Sequence, residues 1–183
     1  RYGPDPGEVA DAQYPAPPSP GSLDPSKKVI GYAVLPGAEP YDGFAFFGHG
    51  THTAGSVAGD NYATPATPAS GGHDLGDGMA PGAKLFFQDS GNESSGILAG
   101  LTSAYPLIFQ QAREAGARIH SDSWGSQTAG AYTADCSDVD RFLWRNEDFQ
   151  IFFANGNSGP GQGTVLSPAA AKNCVAVGAL TNG

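Results

Sequence analysis

The chain has 183 residues, with 9 Lys or Arg against 18 Asp or Glu, so its formal net charge is −9 at neutral pH. This length suits a single domain, and the acidic balance argues against a nucleic-acid-binding protein, in which a basic surface would face the phosphates. No apolar run reaches the roughly 18 residues needed to cross a bilayer, and the first residues form no signal segment, so the sequence predicts no membrane insertion.

The first segment, residues 1–27, is rich in Pro, Gly, Ser and Asp and contains the run PAPPSPG. Proline lacks a backbone donor and interrupts both helices and central strands, so we expect a surface loop or an insertion here. A disordered linker is the alternative interpretation of the same composition. The folded part is expected to comprise residues 28–183.

In this folded part, apolar runs rich in strand-forming residues alternate with helical patterns. The predicted strands are KKVIGYAVL (27–35), AKLFFQDS (83–90), ARIHSDSW (117–124), FQIFFAN (149–155) and NCVAVGAL (173–180). The predicted helices begin at His49, run from about Gly96 to Ala115, and begin at about Asp138 with Ser137 as N-cap. Short strands separated by helices predict an α/β fold with βαβ units and a mainly parallel sheet.

Two polar loops directly follow predicted strands. SDSWGS follows ARIH, and NGNSGPGQG follows FQIFFA. Ligands of parallel sheets bind outside the carboxyl ends of the strands, so we expect both loops to open on one edge of the sheet.

The run GHGTHTAGSVAGD, from Gly48 to Asp60, places histidines at the start of a glycine-rich helix. A glycine inside a helix costs about 1 kcal/mol relative to alanine, so Gly50 and Gly55 indicate close approach by another group. His49 and His52 could instead be core residues or two ligands of a metal site. The chain contains no His-Glu-x-x-His and no Cys-x-x-Cys run, which argues against a zinc protease.

HGTHTAGS resembles the histidine motif of the subtilisin-like serine proteases, the subtilases. Three further segments resemble the family in the same order: GMAPGAKLFF (78–87), GARIHSDSWGS (116–126) and FFANGNSGPG (152–161). The resemblance covers the chain from about Lys28 to its end. It implies a three-layer α/β fold with a mainly parallel central sheet flanked by helices, incomplete at both ends.

The resemblance also implies residue roles. His49 would be the general base, with His52 a packing residue one turn later, and Asn157 would donate its side-chain amide to the oxyanion. An extended peptide would bind to the backbone of Ser123, Trp124 and Gly125. The S1 pocket would be lined by Ala154, Asn155 and Gly156. The Trp124 side chain has a second interpretation, as an aromatic group that closes the edge of the sheet.

Asn155 departs from the family pattern, because a small apolar residue is usual at that point of the loop. The difference predicts an S1 pocket that is narrower or more polar.

Two motifs of the family are missing from the chain, Asp-Thr/Ser-Gly and Gly-Thr-Ser-Met-Ala, which carry the catalytic aspartate and serine. The upstream carboxylate Asp11 is followed by Ala-Gln instead of Thr/Ser-Gly. We therefore expect the central part of a serine endopeptidase that is inactive alone, since the Ser-His-Asp triad is incomplete. The alternative is a catalytically inactive homologue that binds extended peptides.

The remaining expectations also follow from the resemblance. Family membership implies protein or peptide substrates and a secreted or endomembrane-lumenal location, where a disulfide between Cys136 and Cys174 would persist. No cofactor is required and no metal-ligand set is identified, although the acidic loops leave room for structural calcium. The sequence does not fix an oligomeric state.

Overall fold

The computed structural model describes residues 21–40, 48–60, 76–101 and 105–180. The chain divides into two compact units, the first ending at Leu101. Most of the predicted N-terminal loop lies outside the described residues, so its assignment stays a prediction. Within the four described ranges, no helix is both long and apolar enough to span a bilayer.

The described part of the first unit contains a pair of parallel strands, a helix and a short hairpin. β1 (Val29–Val34) pairs with β2 (Leu85–Asp89), and α1 (His49–Ala58) lies between them along the chain. Tyr32 is almost fully buried, stacks on Phe87 and donates its hydroxyl hydrogen to Asp89. The buried carboxylate thereby gains a hydrogen-bond donor from the neighbouring strand.

The described part of the second unit contains a parallel sheet and two helices. Its strands, in spatial order, are β5 (Ile119–Asp122), β6 (Gln150–Ala154) and β7 (Val175–Val177). α2 (Tyr105–Glu114) precedes β5, and α3 (Ala134–Arg145) connects β5 to β6. Because all three strands run in the same direction, their carboxyl ends lie at one edge of this sheet.

Aromatic side chains dominate the core of the second unit. Phe109 of α2 is fully buried, with its ring centroid 5.4 Å from that of Phe142 and 6.4 Å from that of Phe153. The buried face of α3 comprises Cys136, Val139, Phe142 and Leu143. This is the i, i+3, i+4 spacing of an amphipathic helix, so the predicted pattern of Val139, Phe142 and Leu143 is confirmed. The α/β class with mainly parallel strands is confirmed as well.

The helix predicted from Gly96 is wrong over its first turns. A short antiparallel hairpin, β3 (Gly91–Asn92) with β4 (Ile97–Leu98), occupies the start of that segment, and α2 begins only at Tyr105. The physical reason lies in the turn, where Gly96 has φ 68° and the side-chain oxygen of Asn92 accepts hydrogen bonds from Ser95. Such local bonds compete with helix formation.

The predicted start of α3 is also wrong, by about one turn. The helix begins at Ala134, and its N-cap is the extended residue Thr133 instead of Ser137. The Thr133 hydroxyl makes no capping bond, because it lies 2.6 Å from the Ser167 hydroxyl. A buried contact with a distant segment therefore replaces the local cap.

The predicted disulfide is wrong, since Cys136 and Cys174 are both free thiols. Cys136 Sγ lies 3.7 Å from Ser167 Oγ in the core. Cys174 Sγ lies 3.6 Å from the carbonyl oxygen of Ala171. Burial, followed by the charge of Asp140, raises the pKa of the Cys174 thiol to about 11, so it is protonated and unreactive at neutral pH.

Truncation of Phe109 tests the aromatic core. We expect Phe109→Ala to lower the free energy of unfolding by about 3–5 kcal/mol, because it leaves a cavity among Phe142 and Phe153. Leu107→Ala on the same helix is the matched control; its side chain is 69% exposed, and a change within about 0.5 kcal/mol is expected. Urea unfolding followed by tryptophan fluorescence measures both, and equal losses would contradict this description of the core.

Candidate functional site

The predicted general base, His49, is the first residue of α1 and is exposed. The helix starts there because Gly48 adopts a left-handed conformation, with φ 66° and ψ 27°, which glycine reaches without steric cost. Gly48 also accepts a backbone hydrogen bond from His52 at 2.9 Å. His52 is exposed as well, so its predicted packing role is wrong.

The close neighbour of the glycine-rich helix is the backbone of residues 78–80. The amides of Met79 and Ala80 donate to carbonyls of the last turn of α1, and a Cβ on Gly78 would lie 2.5 Å from the Gly55 carbonyl oxygen. Helix ends leave carbonyl groups without intrahelical partners, and these bonds satisfy them. The packing of Gly78 against the last turn of α1 fixes the helix that carries His49.

The other predicted site residues all belong to the second unit. We call them the strand-end site, which comprises residues 123–125 after β5 and residues 154–157 at the end of β6. The parallel pairing brings them together, since Asp122 of β5 lies opposite Phe153 of β6. The predicted clustering of the two polar loops at one sheet edge is therefore observed within this unit.

Trp124 of the strand-end site is half-buried and packs against two aromatic rings. Its ring lies 5.5 Å from that of Tyr105 at an interplanar angle of 16°, and 5.3 Å from that of Phe153 in an edge-to-face arrangement. Burial, reinforced by the charges of Asp135 and Asp122, raises the pKa of Tyr105 to about 12, so the stacked ring stays neutral. The side chain thus closes the sheet edge, while Ser123 and Gly125 beside it are exposed.

Leu166 fills the space between the two halves of the strand-end site. A Cβ on Gly156 would lie 2.6 Å from Leu166 Cγ, and one on Gly125 would lie 2.8 Å from Leu166 Cβ. Gly156 also has φ 97°, a backbone conformation that residues with a side chain rarely adopt. Both glycines are therefore required for the Leu166 side chain to sit between the two segments. No sequence pattern singled out Leu166, which follows Val165 in a glycine-rich loop.

Backbone hydrogen bonds hold these segments together. The amide and carbonyl of Ser126 pair with those of Ser167 at 2.8 and 2.9 Å. Asn155 donates its amide hydrogen to Val177 and accepts a hydrogen bond from Leu166. Its side-chain Oδ1 is buried without a hydrogen-bond partner among the described residues. The side-chain nitrogen Nδ2 of Asn155 lies near Gly178, and a Cβ added to Gly178 would be 3.3 Å from it.

The predicted oxyanion donor, Asn157, is exposed at the end of this loop. The next residue, Ser158, accepts a hydrogen bond of 2.7 Å from the side chain of Gln127, which links the loop after β6 to the segment after β5. Ala154 ends β6 and is half-buried. The Asn157 side chain is therefore exposed next to a loop that is held by a hydrogen bond, and it can donate to a ligand without losing a hydrogen bond to another described residue.

Some candidates lie outside these observations. Asp11 is outside the described residues. Across the described ranges, no group of three or more His, Cys, Asp or Glu side chains is placed to hold a metal ion. His49 belongs to the first unit, and the strand-end site belongs to the second.

Comparison with known families identifies the chain. The model of the subtilase family matches residues 26–183. The chain belongs to the subtilase family. The suspected resemblance and the subtilisin-like α/β fold are thereby confirmed.

Individual relatives of this subtilase chain are much longer than the chain itself. It is 34% identical to serine protease/ABC transporter B family protein tagD of Dictyostelium discoideum over 174 residues, which are 93% of this chain and 9% of that protein. The tagB protein of the same organism is 33% identical over 176 residues, or 8% of its length. Subtilisin from Bacillus sp. (strain TA39) is 33% identical over 138 residues, which are 74% of this chain and 30% of that subtilisin.

An added methyl group at Gly156 tests the packing of the subtilase's strand-end site. We expect Gly156→Ala to lower the free energy of unfolding by about 2 kcal/mol or more, because it combines a positive φ with a clash against Leu166. Gly161→Ala in the same loop is the control, since its Cβ would be 3.7 Å from the nearest heavy atom, and about 0.5 kcal/mol or less is expected. Comparable effects in urea unfolding would contradict the close packing of Leu166.

Proposed function

We propose that this chain carries the general base and the oxyanion donor of a serine endopeptidase that hydrolyses peptide bonds in proteins. The proposal rests on the strand-end site, in which the peptide-binding and oxyanion segments of the subtilase pattern follow adjacent parallel strands. Ser123 and Asn157 are exposed there. The catalytic serine and aspartate would be contributed by chain outside these 183 residues.

In the proposed reaction, His49 takes the proton of the serine hydroxyl as that oxygen attacks the scissile carbonyl. The imidazole then returns the proton to the leaving amine, and water repeats the sequence to release the acyl group. His49 suits this role because it is exposed at the start of a helix whose far end is tied by residues 78–80. A fixed helix holds the backbone of His49 in one place, and the catalytic aspartate would orient its ring.

Asn157 would stabilise the negative charge that develops on the carbonyl oxygen. A neutral amide donates a hydrogen bond without titrating, so its contribution does not depend on pH. The hydrogen bond between Gln127 and Ser158 fixes the loop next to this donor. Donors that are already oriented need no reorganisation when the charge forms.

Residues 123–125 would bind the substrate through their backbone as an added strand. Ser123 and Gly125 are exposed and directly follow β5, whose neighbour in the sheet is β6. Main-chain pairing of this kind recognises extended conformation more than sequence. The proposed substrates are therefore unfolded or flexible segments of proteins.

The side chain preceding the scissile bond would lie against Gly125 and Gly156, with Ala154 and Asn155 beside it. Leu166 fills the space between the two glycines, so the proposed pocket is shallow and favours small side chains. The chemistry needs no cofactor. The proposal includes structural calcium in the acidic loops and a secreted or lumenal location, both of which are implied by the family pattern.

Substitutions in the intact protein that carries this chain test the catalytic roles. We expect His49→Ala to lower kcat for a peptide substrate by about 10⁶-fold and Asn157→Leu by about 10²–10³-fold, the sizes known for the equivalent groups of subtilisin. The controls are His52→Ala, one turn along α1, and Gln162→Leu, an exposed residue of the same loop as Asn157. Both controls should retain activity within about threefold.

Three outcomes would contradict the proposal in different ways. Full activity of His49→Ala would exclude His49 as the base. Equal losses from His49→Ala and His52→Ala, restored by added zinc, would favour the metal-site interpretation. Binding of an extended peptide by the wild-type protein without any hydrolysis would favour the inactive homologue.

Truncation of Leu166 tests the proposed pocket. Leu166→Ala should raise kcat/KM for a substrate with Phe before the scissile bond, relative to one with Ala, by about tenfold or more, because a few methylene groups of pocket space contribute about 1–3 kcal/mol to discrimination. Val165→Ala is the control, and its selectivity should stay within about twofold of the wild type. Unchanged selectivity in Leu166→Ala would show that this side chain does not limit the pocket.

A further inference from the structure

A buried polar pair, His120 and Asp122, lies on β5 immediately before the strand-end site. His120 Nδ1 is 2.8 Å from Asp122 Oδ2, and the two side chains are 13% and 3% exposed. When Asp122 is a carboxylate, which only accepts, the hydrogen in this bond is on Nδ1. The proposed reaction uses neither residue.

Alternation along β5 sets the direction of the pair. His120, Asp122 and Trp124 face the core, where Phe109 and Tyr105 of α2 contact the first and the last of them. The intervening residues Ser121 and Ser123 are exposed. Period-two alternation therefore places the polar pair and the tryptophan of the strand-end site in one row.

The surroundings of the pair are aromatic. The His120 ring meets Phe109 edge-to-face at 5.0 Å, and Phe149 lies 6.3 Å away. A carboxylate buried in such surroundings is costly unless it accepts hydrogen bonds, so Asp122 depends on the histidine donor. A hydrogen bond is also directional, whereas apolar side chains of the same volume fix only the space that they fill.

Residues 123–125 have a fixed point on each side. On one side Asp122 is held by His120 and lies opposite Phe153 in the parallel ladder. On the other side Ser126 is paired with Ser167 through two backbone hydrogen bonds. Only a short stretch of chain lies between the two, so its backbone direction depends on the orientation of Asp122.

We propose that His120 and Asp122 are positioning residues, whose hydrogen bond holds the backbone of residues 123–125 in the orientation that binds an extended peptide. This inference rests on the proposed function of that segment. The pair acts through the backbone and does not touch the substrate. Its loss weakens the binding of extended peptides and leaves the chemical step unchanged.

The test uses the intact protein with two variants and one control. The double variant His120→Phe/Asp122→Leu fills the same space with apolar groups, since replacing a buried polar pair in this way is often neutral or stabilising. Asp122→Asn keeps an acceptor oxygen for Nδ1 and removes the charge. The matched control is Ser121→Ala, which lies between the pair on the exposed face of β5.

Two substrates separate positioning from chemistry: an extended peptide that pairs with residues 123–125, and a single-residue ester that does not reach them. The double variant should raise KM for the extended peptide about tenfold, with kcat and the ester reaction within about threefold of the wild type. Asp122→Asn and Ser121→Ala should keep KM within about twofold. Thermal unfolding of the double variant should match that of the wild type.

A spectroscopic signature accompanies the kinetics. The hydrogen-bonded Nδ1 proton of His120 should give a downfield resonance that persists in Asp122→Asn and is lost in the double variant. An unchanged KM in a folded double variant would overturn the proposal. A rise in KM for both substrates alike would also overturn it, because that result indicates general distortion of the site.

Failure of the proposed function is recognised in the wild-type protein. If the wild type binds the extended peptide but does not cleave it, the dissociation constant replaces KM, and the same tenfold loss is expected in the double variant. If the wild type neither cleaves nor binds extended peptides, the proposed function and this inference both fail.

Discussion

Parallel pairing of β5 with β6 is the constraint on which the strand-end site depends. It places Asp122 opposite Phe153, so the residues that follow each strand must run side by side. Two backbones that emerge this close together leave little room for side chains between them. Gly125 and Gly156 meet that requirement, and Leu166 fills the remaining space. The two glycines are thus required by the packing of Leu166 between the segments.

Two kinds of contact hold the strand-end site: aromatic packing around Trp124 and backbone hydrogen bonds of Asn155. Trp124 rests on Tyr105 and Phe153, which fixes its plane. The backbone of Asn155 is engaged with Val177 on one side and Leu166 on the other. Exposed groups of the site therefore stand on a rigid base, which is the arrangement that recognition of a flexible substrate requires.

Much of this organisation was predictable from the sequence, because it depends on local periodicity. The five main strands, the buried face of α3 and the common edge of two loops all follow from alternation of apolar residues and from the parallel rule. The hairpin of β3 and β4 is too short to leave such a pattern. The Thr133 hydroxyl contacts Ser167 instead of capping α3, and Leu166 packs against Gly125, so both features depend on contacts distant in sequence.

The contact between Gly78 and the end of α1 has a consequence for how much chain can be inserted. Gly78 donates its amide hydrogen to the Gly59 carbonyl at 2.8 Å, so the chain leaves α1 and returns at the same point. Each doubling of a loop closed in this way costs only about 0.6 kcal/mol in closure entropy. Closure at this point therefore sets only a weak limit on the number of residues that can lie between Gly59 and Gly78.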